Sequence, residues 1–394
     1  TIKLDGNYPV GTNNVALGDT ALDSIASGGT RNTAIGFSAG TALTTQDYNV
    51  FVGSYSGDGA TGSGNVAVGD VTLRNASGDY NTAIGGEALN SNTTASNNTA
   101  VGYQSLYANT TATNNTAVGW AAGLANTTGA QNTFIGTISG DANTTASHNT
   151  AVGYSTLTDN TTGAAGTALG AYALANSTTG NDNVATGYQA LFTNTTGAFN
   201  TAHGSQALRG NTTADNNTAV GHQAGYSNTT GQRIVAVGKG ALYTHNVTDA
   251  SATNNVSVGY ESSYSTTTGT DNTVLGSSTF YSNTTGGYNV ALGRLALYSN
   301  TTANNNTAVG YEAAYTNTTG TELTAIGRRS LKSNTTGNYS TAVGLNSLVF
   351  NTTGANNVAV GVSALQSNTT ASNNTGVGYY ALYSNTAGNN TALG

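Results

Sequence analysis

The sequence predicts an all-β protein, a single β-solenoid (β-roll or β-helix) of about 23 coils with mostly 17 residues per coil. The motif Asn-Thr/Val-Ala-Val/Ile/Leu-Gly occurs in 23 units, whose last residues run from Gly18 to Gly394. Seventeen of the 22 intervals between these motif glycines are 17 residues long, three are 16, one is 18 and one is 21. Such a repeat is too short for a helix pair or a propeller blade, and its apolar residues alternate with the period of two that a strand requires.

Each coil is expected to contain two short strands and two turns. In residues 98–114, the first strand precedes Gly102, the second spans residues 103–107, and a turn with the sequence Asn-Thr-Thr follows. The residue before the motif glycine is aliphatic in 21 of 23 units, and Leu occurs four residues after it in 14 units. We therefore expect these two columns to form the core. The motif Ala, present in 18 of 23 units, is expected to face outward.

Three local features interrupt the repeat. Thr186 and His203 replace the aliphatic residue in consecutive units, one period apart, which predicts a buried polar pair that shares a hydrogen bond. The 21-residue interval contains residues 245–249, which are expected to form a surface loop. Residues 1–10 are aperiodic, so the predicted organisation is an N-terminal strand or cap over residues 1–10 and a solenoid array over residues 11–394.

The composition argues against several classes of function. Only 7% of the residues are charged, compared with about 25% in typical globular proteins. The net charge is −7 without a Lys/Arg cluster, which argues against a nucleic-acid partner. The sequence has no 18-residue apolar run, so membrane insertion is not expected. There is no Cys, and neither His nor carboxylate residues have metal-ligand or catalytic spacing, so no enzyme, metal or cofactor is predicted.

The repeat resembles two groups of fibrous proteins. Residues 14–18, 65–69 and 357–361, which read Asn-Val-Ala-Leu/Val-Gly, resemble the head repeats of trimeric autotransporter adhesins, which are β-rolls. The longer pattern Asn-Thr-Ala-Val-Gly-Tyr-x-Ala-Leu-Tyr-Ser-Asn-Thr-Thr-Gly is similar to the arrays of phage and microbial tail-fibre-like proteins. The resemblance extends over all 23 units and implies a solenoid fibre. Nothing in the sequence looks like the stalk, the anchor or the C-terminal chaperone of these proteins.

Asn-Thr-Thr recurs at one corner in 14 units, and each copy is an acceptor sequence for N-glycosylation. A second acceptor precedes the motif in several units, and four others lie outside these columns. The alternative is structural, because Asn favours turns and stacked Asn side chains pair along a column. The corner acceptors are Asn92, Asn109, Asn126, Asn143, Asn160, Asn194, Asn211, Asn228, Asn283, Asn300, Asn317, Asn334, Asn351 and Asn368; the second set is Asn97, Asn114, Asn216, Asn305, Asn373 and Asn389; the others are Asn75, Asn176, Asn246 and Asn338.

Aromatic residues recur directly after the motif glycine and five residues after it. The second column contains Tyr264, Tyr281, Tyr298 and Tyr315 at an unbroken spacing of 17 residues, which predicts a ladder of stacked rings. Such a ladder could bind sugars, contact another chain, or only stabilise the coil.

The sequence thus favours a non-catalytic, extracellular structural fibre or fibril subunit. This subunit is N-glycosylated if the Asn-Thr-Thr corners serve as acceptors and not only as turns. Its expected partner is itself, head-to-tail or laterally, with glycans as a further partner. An uncapped last coil would pair with the N-terminal strand of the next subunit. The chain contains no Met, so a processed product or a piece of a longer protein is expected. The alternative is an adhesive or receptor-binding fibre, of phage or cell-surface type, that uses aromatic ladders or corner loops. An ice-binding solenoid is the third possibility.

Overall fold

A computed structural model describes residues 11–247 and 252–394. The chain divides into two compact units, Thr1–Gly197 and Ala198–Gly394, and each unit is an all-β parallel solenoid. This result confirms the predicted fold class and the coil length of about 17 residues. The N-terminal strand or cap predicted for residues 1–10 lies outside the described residues.

Every strand has three residues and corresponds to the Thr/Val, Ala and aliphatic positions of one motif. In the first unit the strands are β1 (Val15–Leu17), β2 (Thr33–Ile35), β3 (Val50–Val52), β4 (Val66–Val68), β5 (Thr82–Ile84), β6 (Thr99–Val101), β7 (Thr116–Val118), β8 (Thr133–Ile135), β9 (Thr150–Val152), β10 (Thr167–Leu169) and β11 (Val184–Thr186). In the second unit they are β12 (Thr201–His203), β13 (Thr218–Val220), β14 (Val235–Val237), β15 (Val256–Val258), β16 (Thr273–Leu275), β17 (Val290–Leu292), β18 (Thr307–Val309), β19 (Thr324–Ile326), β20 (Thr341–Val343), β21 (Val358–Val360), β22 (Thr375–Val377) and β23 (Thr391–Leu393).

Within each unit, consecutive strands pair in parallel and bring equivalent residues side by side. Strands β6 and β7, for example, pair Ala100 with Ala117. The motif glycine ends each strand in a conformation that only glycine adopts easily: Gly119 has a φ of 143°, and a Cβ there would collide with the carbonyl oxygen of Gly136. Equivalent residues therefore form columns along each unit.

The core differs from the predicted one in the orientation of the strands. The motif Ala points inward, and Ala100 and Ala117 are completely buried, whereas Val101 is half-buried and Val118 is exposed on the outer face. The prediction that the aliphatic column fills the core and the Ala column faces outward is therefore wrong. The Leu column is buried as predicted, as at Leu106.

The narrow interior of the coil explains this orientation. The buried Leu column occupies much of the enclosed space, so the inward strand position takes a small side chain. Phe134 replaces the inward Ala in β8, and there both the same coil and the preceding one have glycine, Gly140 and Gly123, at the Leu position. A Cβ on Gly123 would lie 2.8 Å from the Phe134 ring. The strand face was assigned wrongly because hydrophobicity alone was considered, without the volume available inside the coil.

The second strand predicted in each coil is absent from residues 103–107, which form turns. Gln104 and Leu106 have φ angles of 54° and 50°, and equivalent positions are left-handed throughout both units. The backbone N–H of Leu106 nevertheless donates to the Ala122 carbonyl of the next coil at 2.9 Å. This segment is thus hydrogen-bonded between coils although it is not a strand. Its left-handed backbone conformation is one that non-glycine residues such as Leu rarely adopt.

Two smaller predictions are also wrong. Thr186 is half-buried and His203 is exposed, because both occupy the outward strand position, so they do not form a buried pair. The predicted surface loop at residues 245–249 has no regular secondary structure at its beginning, but it is not fully on the surface, since His245 and Val247 are buried and only Asn246 is exposed. Residues 248–249 lie outside the described part of the chain.

Candidate functional site

The 14 corner acceptors form a column of buried side chains, which we call the corner Asn column. All 14 are at most 1% exposed. Asn126 is typical: its Nδ2 donates to the Oδ1 of Asn109 at 3.0 Å and to the carbonyl oxygen of Gly129 at 2.9 Å. Its own Oδ1 accepts from the Nδ2 of Asn143 at 2.7 Å. The column is therefore a chain of amide hydrogen bonds that runs from coil to coil.

This geometry bears on the glycosylation hypothesis. N-glycosylation attaches a sugar to the Asn Nδ2, and in the corner Asn column that nitrogen is buried and already donates two hydrogen bonds. The fold thus favours the structural explanation of the column, and whether any of these Asn residues carries a sugar stays a prediction. The second set of acceptors differs, because all six are exposed and have φ near 60°: Asn97, Asn114, Asn216, Asn305, Asn373 and Asn389.

A second buried ladder is formed by the first Asn of the motif. Asn115 donates from its backbone N–H to the Oδ1 of Asn98 at 2.9 Å, and its Nδ2 donates to the carbonyl of Gly129 at 3.0 Å. The sequence analysis missed this role, although the recurrence of Asn at the start of most motifs was a usable signal. The two ladders meet at the Gly129 carbonyl, which accepts from both Asn115 and Asn126.

The corner Asn column is interrupted where other residues replace Asn. Ser177 and His245 are both completely buried at equivalent positions. Neither His245 ring nitrogen has a hydrogen-bond partner in the structure, and the Oδ1 of Asn228, one coil earlier, also lacks one. Burial lowers the pKa of His245 to about 4, because a charged imidazolium would lose its hydration.

The aromatic column of the second unit forms a continuous stack of six rings, the Tyr stack. The predicted stacking of Tyr264, Tyr281, Tyr298 and Tyr315 is present, with centroids 5.2–5.3 Å apart and ring planes within 12° of parallel. The stack continues to Tyr243 and Tyr226. The sequence analysis did not extend the ladder to these two because the 21-residue interval separates Tyr243 from Tyr264, and the stack passes that interval without a gap.

The Tyr stack leaves little opportunity for face-on binding of a sugar. Each inner ring has a neighbour on both faces. The Arg209 guanidinium lies 5.7 Å from the centre of the Tyr226 ring, and the Lys332 ammonium lies 6.0 Å from that of Tyr315. Burial, together with the two neighbouring phenols, raises the pKa of Tyr243. The geometry favours the coil-stabilising alternative, and a binding role for this stack stays a prediction.

The aromatic residues directly after the motif glycine are more accessible. Tyr103 and Trp120, in adjacent coils of the first unit, are 48% and 53% exposed. Farther along the same unit, Tyr172 packs edge-to-face against Tyr154 and Tyr188, at centroid distances of 5.3 and 6.1 Å. The row beside the motif glycines is thus one accessible aromatic surface, and other exposed aromatic residues, such as Tyr80 and Tyr288, lie outside it.

Metal sites, membrane-spanning helices and similarity to known proteins are the remaining indications of function. Over residues 11–247 and 252–394, no group of three or more His, Cys, Asp or Glu side chains is placed to hold a metal ion. Within the same ranges no helix is long and apolar enough to cross a membrane. No protein-family model and no curated protein matches the chain.

Proposed function

We propose that this chain is a non-catalytic, extracellular structural subunit of a fibre. The proposal rests on one observation above all, the ladders of buried Asn hydrogen bonds that continue from coil to coil. In the first unit, the corner ladder joins Asn92, Asn109, Asn126, Asn143 and Asn160 at donor–acceptor distances of 2.7–3.4 Å. These bonds lie along the solenoid axis, the direction in which a fibre carries load.

A parallel solenoid is well suited to such a role. Consecutive coils are joined by backbone pairing and, in most coils, also by the two Asn ladders and the Leu column, so stability accumulates coil by coil. The resemblance of the repeats to adhesin heads and tail-fibre-like arrays favours the same function, and the extracellular location rests on that resemblance.

The fibre proposal is tested by assembly of the purified chain. We expect negative-stain electron microscopy and sedimentation to show elongated assemblies that grow with concentration. Aligned samples should give a meridional reflection at ~4.8 Å from the coil spacing. A chain that stays monomeric at all concentrations and salt conditions would contradict the proposal.

Glycosylation is part of the proposal in a restricted form. We expect sugars on exposed acceptors such as Asn97 and Asn114 and none on buried acceptors such as Asn126. Intact mass of material from the native source, compared with 39.3 kDa, measures occupancy, and peptide mapping after enzymatic release assigns the sites. Sugars on the corner Asn column would contradict this assignment and require a different packing of that corner.

The exposed aromatic row favours an adhesive fibre as a second candidate. Half-exposed rings in adjacent coils, as at Tyr103 and Trp120, are suited to stacking on sugar rings. Glycan-array binding that is lost in Trp120→Ala and retained in Tyr80→Ala, an exposed aromatic outside this row, would place this candidate first. No binding above background would remove it.

Ice binding, the third candidate, is favoured by the outward Thr row. No hydroxyl of the Thr residues that begin strands in the described residues, such as Thr99 and Thr116, has a hydrogen-bond partner in the protein. These hydroxyls face outward beside the aliphatic column. Thermal hysteresis that disappears when Thr116 and its neighbours are replaced by Lys would establish this activity, and its absence in the wild-type chain would exclude it.

A further inference from the structure

Three columns of each unit form one continuous surface, which we call the turn face: the residues one, two and five positions after each motif glycine. Contacts join the columns. In the first unit Tyr172 packs against both Tyr154 and Phe192, which belong to the other two columns. In the second unit Glu312 forms salt bridges with Arg329 and Lys332, from two of the columns.

The turn face has opposite charge in the two units. In the first unit its only basic residue is Arg74, and its acidic residues are Asp19, Asp23, Asp58, Asp70, Glu87 and Asp141. In the second unit its acidic residues are Glu261 and Glu312, and its basic residues are Arg209, Lys239, Arg294, Arg328, Arg329 and Lys332. The other described charges of the second unit lie at the corner before the strands, at Asp215, Arg233, Asp271 and Glu322.

Most of these charges are not neutralised within the chain. Among residues 11–247 and 252–394 the salt bridges are Arg74–Asp58, Arg329–Glu312 and Lys332–Glu312. The exposed acids of the first unit, such as Asp19 and Asp70, have none.

Aromatic rings hold two of the basic side chains of the second unit in place. The Lys239 ammonium lies 5.3 Å from the ring centre of Tyr260, and the Arg294 guanidinium lies 5.9 Å from that of Tyr311. Cation–π contacts orient these groups without neutralising their charge. The basic turn face is therefore partly ordered before any partner binds, which lowers the entropic cost of association.

We propose that the acidic turn face of the first unit of one copy binds the basic turn face of the second unit of another copy. Charge complementarity selects this partner. Both faces also repeat with the same coil spacing, so charges on one can lie opposite charges on the other in several coils. A contact between two different surfaces of identical chains leaves one surface free at each end of the assembly, and it produces a filament when the rotation between copies does not close a ring. This inference rests on the proposed fibre function and specifies its interface.

The size of the turn face suits a stable contact. The 11 strands of the first unit give ten rises of ~4.8 Å, and the face is therefore roughly 48 Å long. With a breadth of roughly 15 Å, the span of about five residues, each partner would contribute roughly 700 Å². Stable interfaces bury about 800 Å² per partner.

Charge reversal tests the contact. Variant A carries Lys239→Glu, Arg294→Glu and Arg328→Glu; variant B carries Asp19→Lys, Asp23→Lys and Asp70→Lys. All six side chains are exposed and none forms a salt bridge in the described chain. Light scattering and sedimentation velocity should show that A alone and B alone need at least about tenfold higher concentration than wild type to assemble. Mixing A with B, or combining all six changes in one chain, should restore assembly.

A matched pair of variants controls for net charge. Lys239→Gln/Arg294→Gln/Arg328→Gln and Thr302→Glu/Thr319→Glu/Thr336→Glu both lower the net charge by three, but the second set lies on exposed corner positions away from the turn face. We expect only the first set to weaken assembly. Raising the salt from about 0.1 M to about 1 M should weaken wild-type assembly, since the screening length falls from about 10 to about 3 Å.

The outcomes separate this interface from the fibre function. If A and B each assemble as wild type does, the interface is wrong and the fibre function stands. If wild type does not assemble under any condition, both fail. In that second case, retention of wild type but not of Lys239→Gln/Arg294→Gln/Arg328→Gln on an immobilised acidic polysaccharide would assign the basic face to a polyanion instead.

Discussion

Removing one amide from the corner Asn column should destabilise the coils around it. Asn126→Ala deletes three buried hydrogen bonds, to Asn109, Gly129 and Asn143. The Oδ1 of Asn109 loses its hydrogen-bond donor from Asn126. The Gly129 carbonyl keeps its bond from Asn115, and the Nδ2 of Asn143 keeps its bond to the Ala146 carbonyl. The substitution therefore leaves one orphaned acceptor and two groups with one partner fewer.

The expected cost follows from this inventory. An orphaned buried acceptor costs about 1–3 kcal/mol, and each of the other lost bonds contributes about 0.5–1.5 kcal/mol. We expect a local loss of about 3 kcal/mol in the free energy of unfolding. Because stability in a solenoid is largely a nearest-neighbour property, this loss should be concentrated in the coils next to residue 126.

Native-state hydrogen exchange is the suitable assay, since it reports local opening. Amides between residues 109 and 146 should exchange roughly 100-fold faster, and amides several coils away should change much less. Thr128→Ala is the control, because that side chain is exposed and such changes usually stay within about 0.5 kcal/mol. If Asn126→Ala exchanges like Thr128→Ala, the corner Asn column does not stabilise the fold and our account of it is refuted.

Three further predictions concern the inward strand position, the His residue of the corner Asn column and the Tyr stack. Phe134→Ala should cost about 3–5 kcal/mol through the cavity it leaves, Gly140→Leu should destabilise by collision with the ring, and the double variant should recover much of the loss in thermal melts. Because the pKa of His245 is 6.5 in the unfolded chain and about 4 in the folded one, the unfolded chain binds the proton more readily, and the folded protein should lose stability as the pH falls from 6.5 towards 4. His245→Asn should abolish this pH dependence in melts between about pH 7 and 4. Tyr281→Ala should reduce the near-ultraviolet circular dichroism of the stack and lower the melting temperature, whereas Tyr281→Leu, which keeps apolar bulk, should lower the melting temperature less.

The sequence was sufficient for the fold class because the repeat covers the whole chain. One period of 17 residues, an alternating strand and a regular glycine restrict the architecture to stacked coils. Aromatic spacing likewise predicted the Tyr stack. These features depend only on which residues recur at a fixed distance, and that information is directly readable from the sequence.

The features that the sequence did not predict depend on volume and on backbone conformation. Whether Ala100 or Val101 faces inward depends on how much space Leu106 leaves, and hydrophobicity does not measure space. The sequence did contain one signal. Where Phe134 replaces the small inward Ala, the adjacent Leu positions are occupied by glycine, which indicates that the two columns share the same space. The left-handed φ of Leu106 had no such signal, since its side chain disfavours that conformation.

The polarity of the corner Asn column leads to a stabilising prediction. In most of the column an Oδ1 accepts from the Nδ2 of the next coil, and the chain of bonds fails at Asn160 and Asn228, where the next residue is not Asn. Ser177 follows Asn160 in the column, and both the Oδ1 of Asn160 and the Oγ of Ser177 are buried without a partner. The corner at residues 177–180 otherwise matches its neighbours, with Thr-Thr-Gly after the variable residue. Ser177→Asn should therefore place an Nδ2 within reach of both Asn160 and the Gly180 carbonyl.

We expect Ser177→Asn to stabilise the neighbouring coils by about 1–2 kcal/mol, because it satisfies one orphaned acceptor and adds one bond. The measurement is hydrogen exchange of residues 160–180, which should slow by about tenfold. Ser177→Ala is the matched variant: it removes the orphaned hydroxyl without supplying a donor, so it should leave Asn160 unsatisfied and give a smaller effect. Equal exchange rates in the two variants would show that the Asn160 acceptor is satisfied by other means, and that the coil-to-coil direction of the ladder carries no energetic consequence.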